Sequence, residues 1–434
     1  MKMLRRFSLY GFLKNQQYYD YFLLLAFRQM GLSYFLIGLL IAFREIMINI
    51  MEIPSGGVAD LCGRRDSMIF SFIAYIISFT IFGLSGTAAM DFKLALYVLI
   101  PLLLSAMFFF AIGEAFRTGT HKTLIFTWLR NQGRIDERTK VYGYTRSWSK
   151  IGSAVSVIIA CVLVFITGNF IYVFFFAIIP YTLNIINFLG YPKEIDCRVE
   201  KKTSLNDIIK HLKETIMISM KQRNLRMLIL ESMGFEGFFK ASKDYLQPIL
   251  MAAALPMTTA LFTGIPLSDE QRSVVLIGPV YFFLFIISAV ASRNAYRLVS
   301  ESGQEDNAAR FLWGLSVLIF IAFLPSMFYG VYWIMITGFV LLYIMQNLWR
   351  PVLISRFDVH SDEAKGATVL SIESQAKSLS TMIIAPVLGL AIDLARNNGI
   401  GVSEFWPIGG LGVIIALGFF LSALRNERLV QQRT

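Results

Sequence analysis

Histidine and cysteine are nearly missing from this 434-residue chain: three of each, His121, His211, His360 and Cys62, Cys161, Cys197, lie scattered along it. Neither set has the short paired spacing of a zinc or redox site, and neither builds a disulfide framework. No metal or cofactor is expected. Charge is scarce too: Asp, Glu, Lys and Arg make up 16% of the residues, against roughly 25% in an average soluble domain. An ordinary soluble globular protein is thereby excluded. The string GEAFRTGTHKT lacks the Gly-Lys-Ser/Thr ending of a phosphate loop, and no His-Glu-x-x-His or nucleophile-elbow motif occurs, so nothing points to an enzyme. What the chain has is apolar: 56% hydrophobic residues, 38 of them Phe. Apolar stretches of about 18 to 25 residues recur throughout, long enough to cross a bilayer as helices, and predict an all-α polytopic membrane protein. The start, MKMLRRFSLYGF, lacks a small-residue cleavage site and reads as retained.

Apolar runs bounded by charges, Gly, Pro or Asn predict six spans at about 9 to 28, 34 to 54, 67 to 87, 94 to 118, 146 to 168 and 170 to 191. Six more follow at about 226 to 253, 273 to 292, 309 to 328, 331 to 349, 367 to 394 and 405 to 425. The expected organisation is an N-terminal six-helix bundle (1–191), a cytoplasmic linker (192–224) and a C-terminal six-helix bundle (225–434). Basic residues test this threading because they concentrate in loops that stay cytoplasmic. With both termini inside, roughly three quarters of the 40 Lys and Arg fall on the inside, and the outside loops hold Arg28, Lys93, Arg272 and Arg396. Topology therefore accounts for the net charge of +11, and nucleic-acid binding loses its support. In the linker, Leu205, Ile208, Ile209, Leu212, Ile216 and Met220 share one helical face and predict an amphipathic connector helix. A short repeat, Asp20-Tyr21-Phe22 and Asp244-Tyr245-Leu246, falls in the first span of each half, as duplication requires.

The most specific string is MEIPSGGVADLCGRRDSM between the second and third spans, which reads Gly56-x-x-x-Asp60-x-x-Gly63-Arg64-Arg65. Its glycines allow two helices to approach across a short turn, and a carboxylate beside two guanidinium groups can latch neighbouring helices through charge-assisted hydrogen bonds. With that string and the six-plus-six layout, the chain resembles the major facilitator superfamily of secondary transporters over essentially its whole length. Glu52-Ile53-Pro54-Ser55-Gly56 is similar to the lead-in of many bacterial members. The resemblance implies two six-helix bundles related by a pseudo-two-fold axis, a cavity between them and alternating access. It also implies a cytoplasmic gate role for Gly56, Asp60, Gly63, Arg64 and Arg65. The equivalent stretch of the second half, ASRNAYRLVSESG, keeps Arg293 and Arg297 without the Gly and Asp positions, and the fifth span, with Gly152-Ser153-Ala154, lacks the Gly-Pro element of the family's drug/proton antiporters.

Charges inside spans are costly in lipid and mark cavities or partners. The candidates for a substrate or ion cavity are Asp20, Arg44, Glu45, Glu114, Arg117, Glu236, Lys240, Asp244, Glu373 and Lys377. Glu236, Lys240 and Asp244 are spaced to stack as acid, base, acid on one helix face, and Glu373 and Lys377 repeat the acid-to-base step. Asp20, Glu45, Glu114 and Glu236 are the candidates for a coupling proton, with sodium the alternative ion. Tyr18, Tyr19, Phe108 to Phe110 and Phe174 to Phe176 read as packing or lipid-facing aromatics, and Trp349 and Trp406 as interfacial anchors. The functional expectation is a monomeric secondary active transporter of a small molecule, proton-coupled, in the inner or plasma membrane, with efflux of a drug-like or amphipathic compound favoured. A non-transporting receptor or sensor, or a lipid flippase, on the same fold is the alternative.

Overall fold

The computed structural model describes residues 2–118, 120–134, 137–192, 221–302, 304–360, 366–397 and 403–431, and among them every regular element is helical. The first half holds α1 (Lys2–Lys14), α2 (Leu23–Gln29), α3 (Tyr34–Cys62), α4 (Arg64–Asp91), α5 (Leu96–Arg117), α6 (Thr120–Asn131), α7 (Arg138–Thr167) and α8 (Tyr172–Leu189). The second begins with α9 (Arg223–Ser232), a π turn (Met233–Gly237), α10 (Phe238–Ser242), a 3₁₀ turn (Lys243–Tyr245) and α11 (Leu246–Leu261). It continues with α12 (Asp269–Ser302), α13 (Glu305–Tyr329), α14 (Tyr332–His360), α15 (Gly366–Asn397) and α16 (Trp406–Gln431). The connector helix expected over 205–220 lies outside the described residues.

Among the described residues ten helices are long and apolar enough to cross a membrane: α3, α4, α5, α7, α8 and α12 to α16. The predicted spans missing from that set, 9–28 and 226–253, are the first of each half, and both are interrupted. Backbone that leaves a helix at membrane depth must find partners inside the protein. At the first break Asn15 Nδ2 donates to Gly11 O at 2.8 Å and Gln16 Nε2 to Gly152 O of α7 at 3.0 Å, while Tyr18, Tyr19, Tyr21 and Phe22 are buried around the turn. In the second half, hydroxyls of α15 serve the π turn: Ser380 Oγ donates to Met233 O at 2.7 Å and Thr381 Oγ1 to Gly237 O at 3.3 Å. The repeated Asp-Tyr step stands immediately before the restart of a helix in both places, α2 after Asp20-Tyr21-Phe22 and α11 after Asp244-Tyr245.

The chain divides into two compact units, one comprising Met1–Leu32, Phe43–Leu205 and Met257–Phe285, the other Ser33–Ala42, Asn206–Pro256 and Ile286–Thr434. In unit 1, α4 packs against α5 and α8, and α1 against α7 and α8. Phe72, Tyr75, Phe79 and Phe82 are spaced to share one face of α4 and are buried; Phe79 lies 6.1 Å from the Phe110 ring of α5 and 5.4 Å from Tyr181 of α8. Phe70, Ile73, Ile77 and Leu84 of the same helix are exposed, as a lipid-facing side requires. Helix contact in lipid has no hydrophobic driving force and relies on close packing and interhelical hydrogen bonds. Ser71 Oγ to Gly113 O at 2.6 Å and Ser78 Oγ to Ala106 O at 2.7 Å supply the latter.

Unit 2 centres on Trp313 of α13, stacked on Phe419 of α16 at 4.8 Å and 4.9 Å from Trp349 of α14. Trp349 is therefore a core residue and not the interfacial anchor expected of it, because α14 continues past Pro351 and the residue stands mid-helix. Trp406, 41% exposed, does stand at a helix start. The first turns of α3 cross α15 at contact distance: a Cβ at Gly38 would lie 2.5 Å from Ala385 O, and one at Gly389 2.3 Å from Tyr34 O. That approach lets Asp393 cap α3, its two oxygens accepting from Tyr34 N at 3.1 Å and Phe35 N at 2.8 Å.

Asp393→Ala is expected to lower stability by about 1 kcal/mol, read as a lower melting temperature in detergent, with Asp393→Asn losing much less because its amide oxygen still accepts. An unchanged melting temperature in the alanine variant contradicts the cap.

Candidate functional site

Buried polar chemistry gathers at two centres, each on elements flanking a broken helix. In unit 1, α1, α5, α6 and α7 enclose a cavity of about 580 Å³. Lys14 and Asn15 reach it from the end of α1, Glu114 and Arg117 from the end of α5, His121 from α6, and Arg146 and Lys150, one helical turn apart, from α7. Glu114 and Arg117 are three apart on one face and form an ion pair. Glu114 also accepts from the Tyr75 hydroxyl of α4, and Arg117 Nε reaches the same oxygen at 3.4 Å. The Tyr10 and His121 rings lie 3.9 Å apart. Burial, reinforced by the Lys14 charge, holds His121 well below the ordinary histidine range, so its imidazole is neutral at pH 7.

Arg44 and Glu45, neighbours on α3, pair at 3.1 Å, with Glu45 buried and the Arg44 guanidinium 5.7 Å from the centre of the Phe110 ring. Asp20 sits half-buried in the break between α1 and α2. The predicted gate segment is helix apart from one residue: α3 runs through Pro54 to Cys62, and Gly63, at φ 105° and ψ 142°, turns the chain directly into α4. That dihedral is strained for any residue with a Cβ. Arg65 then ties the start of α4 to the end of α8, Nε donating to Phe188 O at 3.1 Å and Nη2 to Leu189 O at 3.2 Å. Gly56 and Asp60 fall on the last turns of α3, and their side chains lie outside the described residues.

In unit 2 the π turn carries Glu236 toward α14 and α15. Arg350 Nη1 lies 2.7 Å from Glu373 Oε1 and 3.8 Å from Glu236 Oε2. Lys377 Nζ lies 3.8 Å from Glu236 Oε2 and 4.0 Å from Glu373 Oε1, so the expected Glu373–Lys377 step is present. Ser232 Oγ also donates to Glu373 Oε1. Two acids and two bases thus balance within one cluster, while among the described residues Glu236 Oε1 and Glu373 Oε2 accept no hydrogen bond within contact distance. The π and 3₁₀ turns interrupt the seventh span between Glu236, which pairs across to α14 and α15, and Asp244, which pairs with Lys243 at 2.9 Å. Lys240 is half-buried on α10.

The span predicted to end at about 349 leaves Arg350 and Arg356 outside it, yet α14 passes through Pro351 and carries both. Arg356 pairs with Glu231 at 2.5 Å and with Asp306 at 2.7 Å. The seventh span balances three acids, Glu231, Glu236 and Asp244, against three bases, Arg226, Lys240 and Lys243, so its composition does not signal these partners.

These centres, carried by membrane-crossing helices whose first member is broken in each half, define a polytopic helical membrane protein of transporter architecture. The Major Facilitator Superfamily model matches residues 15–385, and the chain belongs to that family. Its fold is similar to that of the nucleoside transporter NupG (TM-score 0.68, 14% identity, covering 98% of this chain and 99% of that one). It is similar also to a POT family transporter in complex with 5-aminolevulinic acid (TM-score 0.67, 16% identity, 98% and 96% covered) and to a D-xylose-proton symporter (TM-score 0.63, 14% identity, 96% of each covered). The family and these neighbours are membrane transporters, not enzymes. No curated protein sequence matches the chain.

Removing Arg350 leaves the fully buried Glu373 short of its nearest cation. Arg350→Ala is expected to cost about 3 kcal/mol, the low end for a broken buried pair because Arg350 is 30% exposed. The double variant Arg350→Ala/Glu373→Gln should recover most of that loss in a detergent melt, whereas additive losses contradict the pairing.

Proposed function

We propose that the chain is a proton-coupled secondary transporter of a small amphipathic molecule, working by alternating access of its two six-helix halves, 1–191 and 225–434. The observation that carries this reading is the matched pair of helix breaks at the Asp-Tyr steps, each on a helix that also contributes to a buried ionisable cluster. Interrupted segments at corresponding positions of two repeats are where transporters build their binding and coupling sites.

Glu236 is the proton carrier in this mechanism. Glu373 is fixed by Arg350 and Ser232, whereas Glu236 is held at 3.8 Å by cations that have a second acid to turn to. A proton can join and leave Glu236 without dismantling the cluster, and each exchange shifts Arg350 and Lys377 toward or away from Glu373. That shift is the bistable element that coupling requires. The D-xylose-proton symporter among the structural neighbours supports a proton as the driving ion. The positive-inside charge pattern supports cytoplasmic termini in an inner or plasma membrane. The unit 1 cavity is lined by α1 from Phe7 to its end, by the C-terminal end of α5 and by the N-terminal half of α7, the sides that the charge pattern places toward the cytoplasm, which supports loading from there and outward movement. The protein acts as a monomer.

Inverted membrane vesicles energised to an acidic lumen provide the test. Adding amphipathic anions, cations and neutral compounds in turn should release protons from vesicles holding the native chain for at least one class. Glu236→Gln should abolish that release while retaining solute exchange. Sodium-dependent uptake that ignores the pH gradient, or proton release unchanged in Glu236→Gln, contradicts the mechanism.

A further inference from the structure

The two polar centres differ in charge balance, and the difference names a substrate class. We propose that the unit 1 cavity recognises the anionic group, carboxylate or phosphate, of an amphipathic organic solute; this rests on the transport reading above and deepens it.

Among the described residues lining the cavity, Glu114 is the only carboxylate, facing Lys14, Arg117, Arg146 and Lys150. Glu114 is already committed to Arg117 and to the Tyr75 hydroxyl. Lys14 feels the Glu114 charge, but among the described residues neither it nor Arg146 nor Lys150 forms an ion pair, in contrast to unit 2, where Arg350 and Lys377 both face Glu236 and Glu373. Lys14 is half-buried and Arg146 and Lys150 are exposed at the cavity mouth; like charges converging on one pocket repel, and the repulsion is relieved by a counter-charge placed among them. A cation gains nothing there. Ser149 on α7 adds a hydroxyl, and the neutral His121 adds no competing charge. The rings of Phe7 and Tyr10 on the α1 side offer an apolar surface for the rest of the solute.

The test is a melt of the full chain in neutral detergent against phenyl phosphate, benzoate, benzamide and benzylamine at equal ionic strength. Both anions should raise the melting temperature saturably, and the amide and amine should not. Lys14→Gln and Lys150→Gln should each weaken the apparent Kd about tenfold, the scale of one charge-assisted hydrogen bond. Arg134→Gln, whose guanidinium is paired with Glu137 on the surface, should change nothing. Lys14→Gln and Lys150→Gln remove repulsion, so the unliganded melts should be no lower than that of the native chain; Lys150→Gln, at an exposed position, serves as the fallback if Lys14→Gln fails to fold.

Equal shifts from benzamide or benzylamine overturn the proposal, as does an anion response undiminished in Lys14→Gln/Arg146→Gln. Stabilisation by phosphatidylglycerol that phenyl phosphate cannot displace assigns the cations to a lipid headgroup and overturns it too. Anion binding without proton-linked flux would remove the transport reading and keep the site. Proton-linked flux of neutral or cationic compounds alone would do the reverse.

Discussion

A peptide group that leaves a helix inside a bilayer has no water to bond, and this constraint organises the rest of the molecule. Two of its helices are broken, and both breaks survive because side chains of another helix or of the turn itself take up the freed carbonyls. Asn15 does so at the first, Ser380 and Thr381 at the second. The amide of Gln16 ties the first break to α7, and the two hydroxyls tie the π turn to α15. Those are the helices that bear Arg146 and Lys150 in one unit and Glu373 and Lys377 in the other. Satisfying the backbone and assembling the charged centres are thus one packing problem. A helix that must be served by a neighbour is held close enough to share its ionisable side chains.

The two centres solve the cost of buried charge differently. Unit 2 neutralises it internally, with two carboxylates and two cations in mutual contact, and leaves one carboxylate more loosely held than the other. Unit 1 pairs Glu114 with Arg117 and leaves a cationic excess on the cavity wall. A balanced cluster with one loosely held carboxylate suits the proposed proton coupling, and an unbalanced cavity suits the proposed recognition of a counter-charged cargo.

Much of the architecture was legible from hydrophobic run length and from the Lys and Arg distribution, because lipid enforces both directly. The Asp-Tyr repeat marked the helix breaks, though nothing in three residues says that a helix stops there. Proline misled in two places: Pro54 and Pro351 read as ends, but both stand inside long helices, so the gate string became helix plus a one-residue turn at Gly63 and Arg350 was counted as loop. Lipid-embedded helices tolerate proline where neighbours re-satisfy the freed carbonyl. The short helix α6 went unseen because its polar composition resembles a loop. Among the candidates, Glu114 with Arg117 and Glu373 with Lys377 were recoverable from helical spacing alone. Partners from distant helices, such as Tyr75 to Glu114 or Arg350 to Glu373, carry no signal in a single sequence.

In the proposed mechanism protonation of Glu236 shifts Arg350 and Lys377 relative to Glu373, and hydrogen–deuterium exchange of the native chain against Glu236→Gln reads that shift without a known cargo. The glutamine mimics the protonated state. The predicted result is altered protection over Met233–Tyr245 and over the stretches of α14 and α15 that carry Arg350 and Glu373, with the rest unchanged. Identical exchange in the two proteins, or a uniform change across the chain, would contradict it.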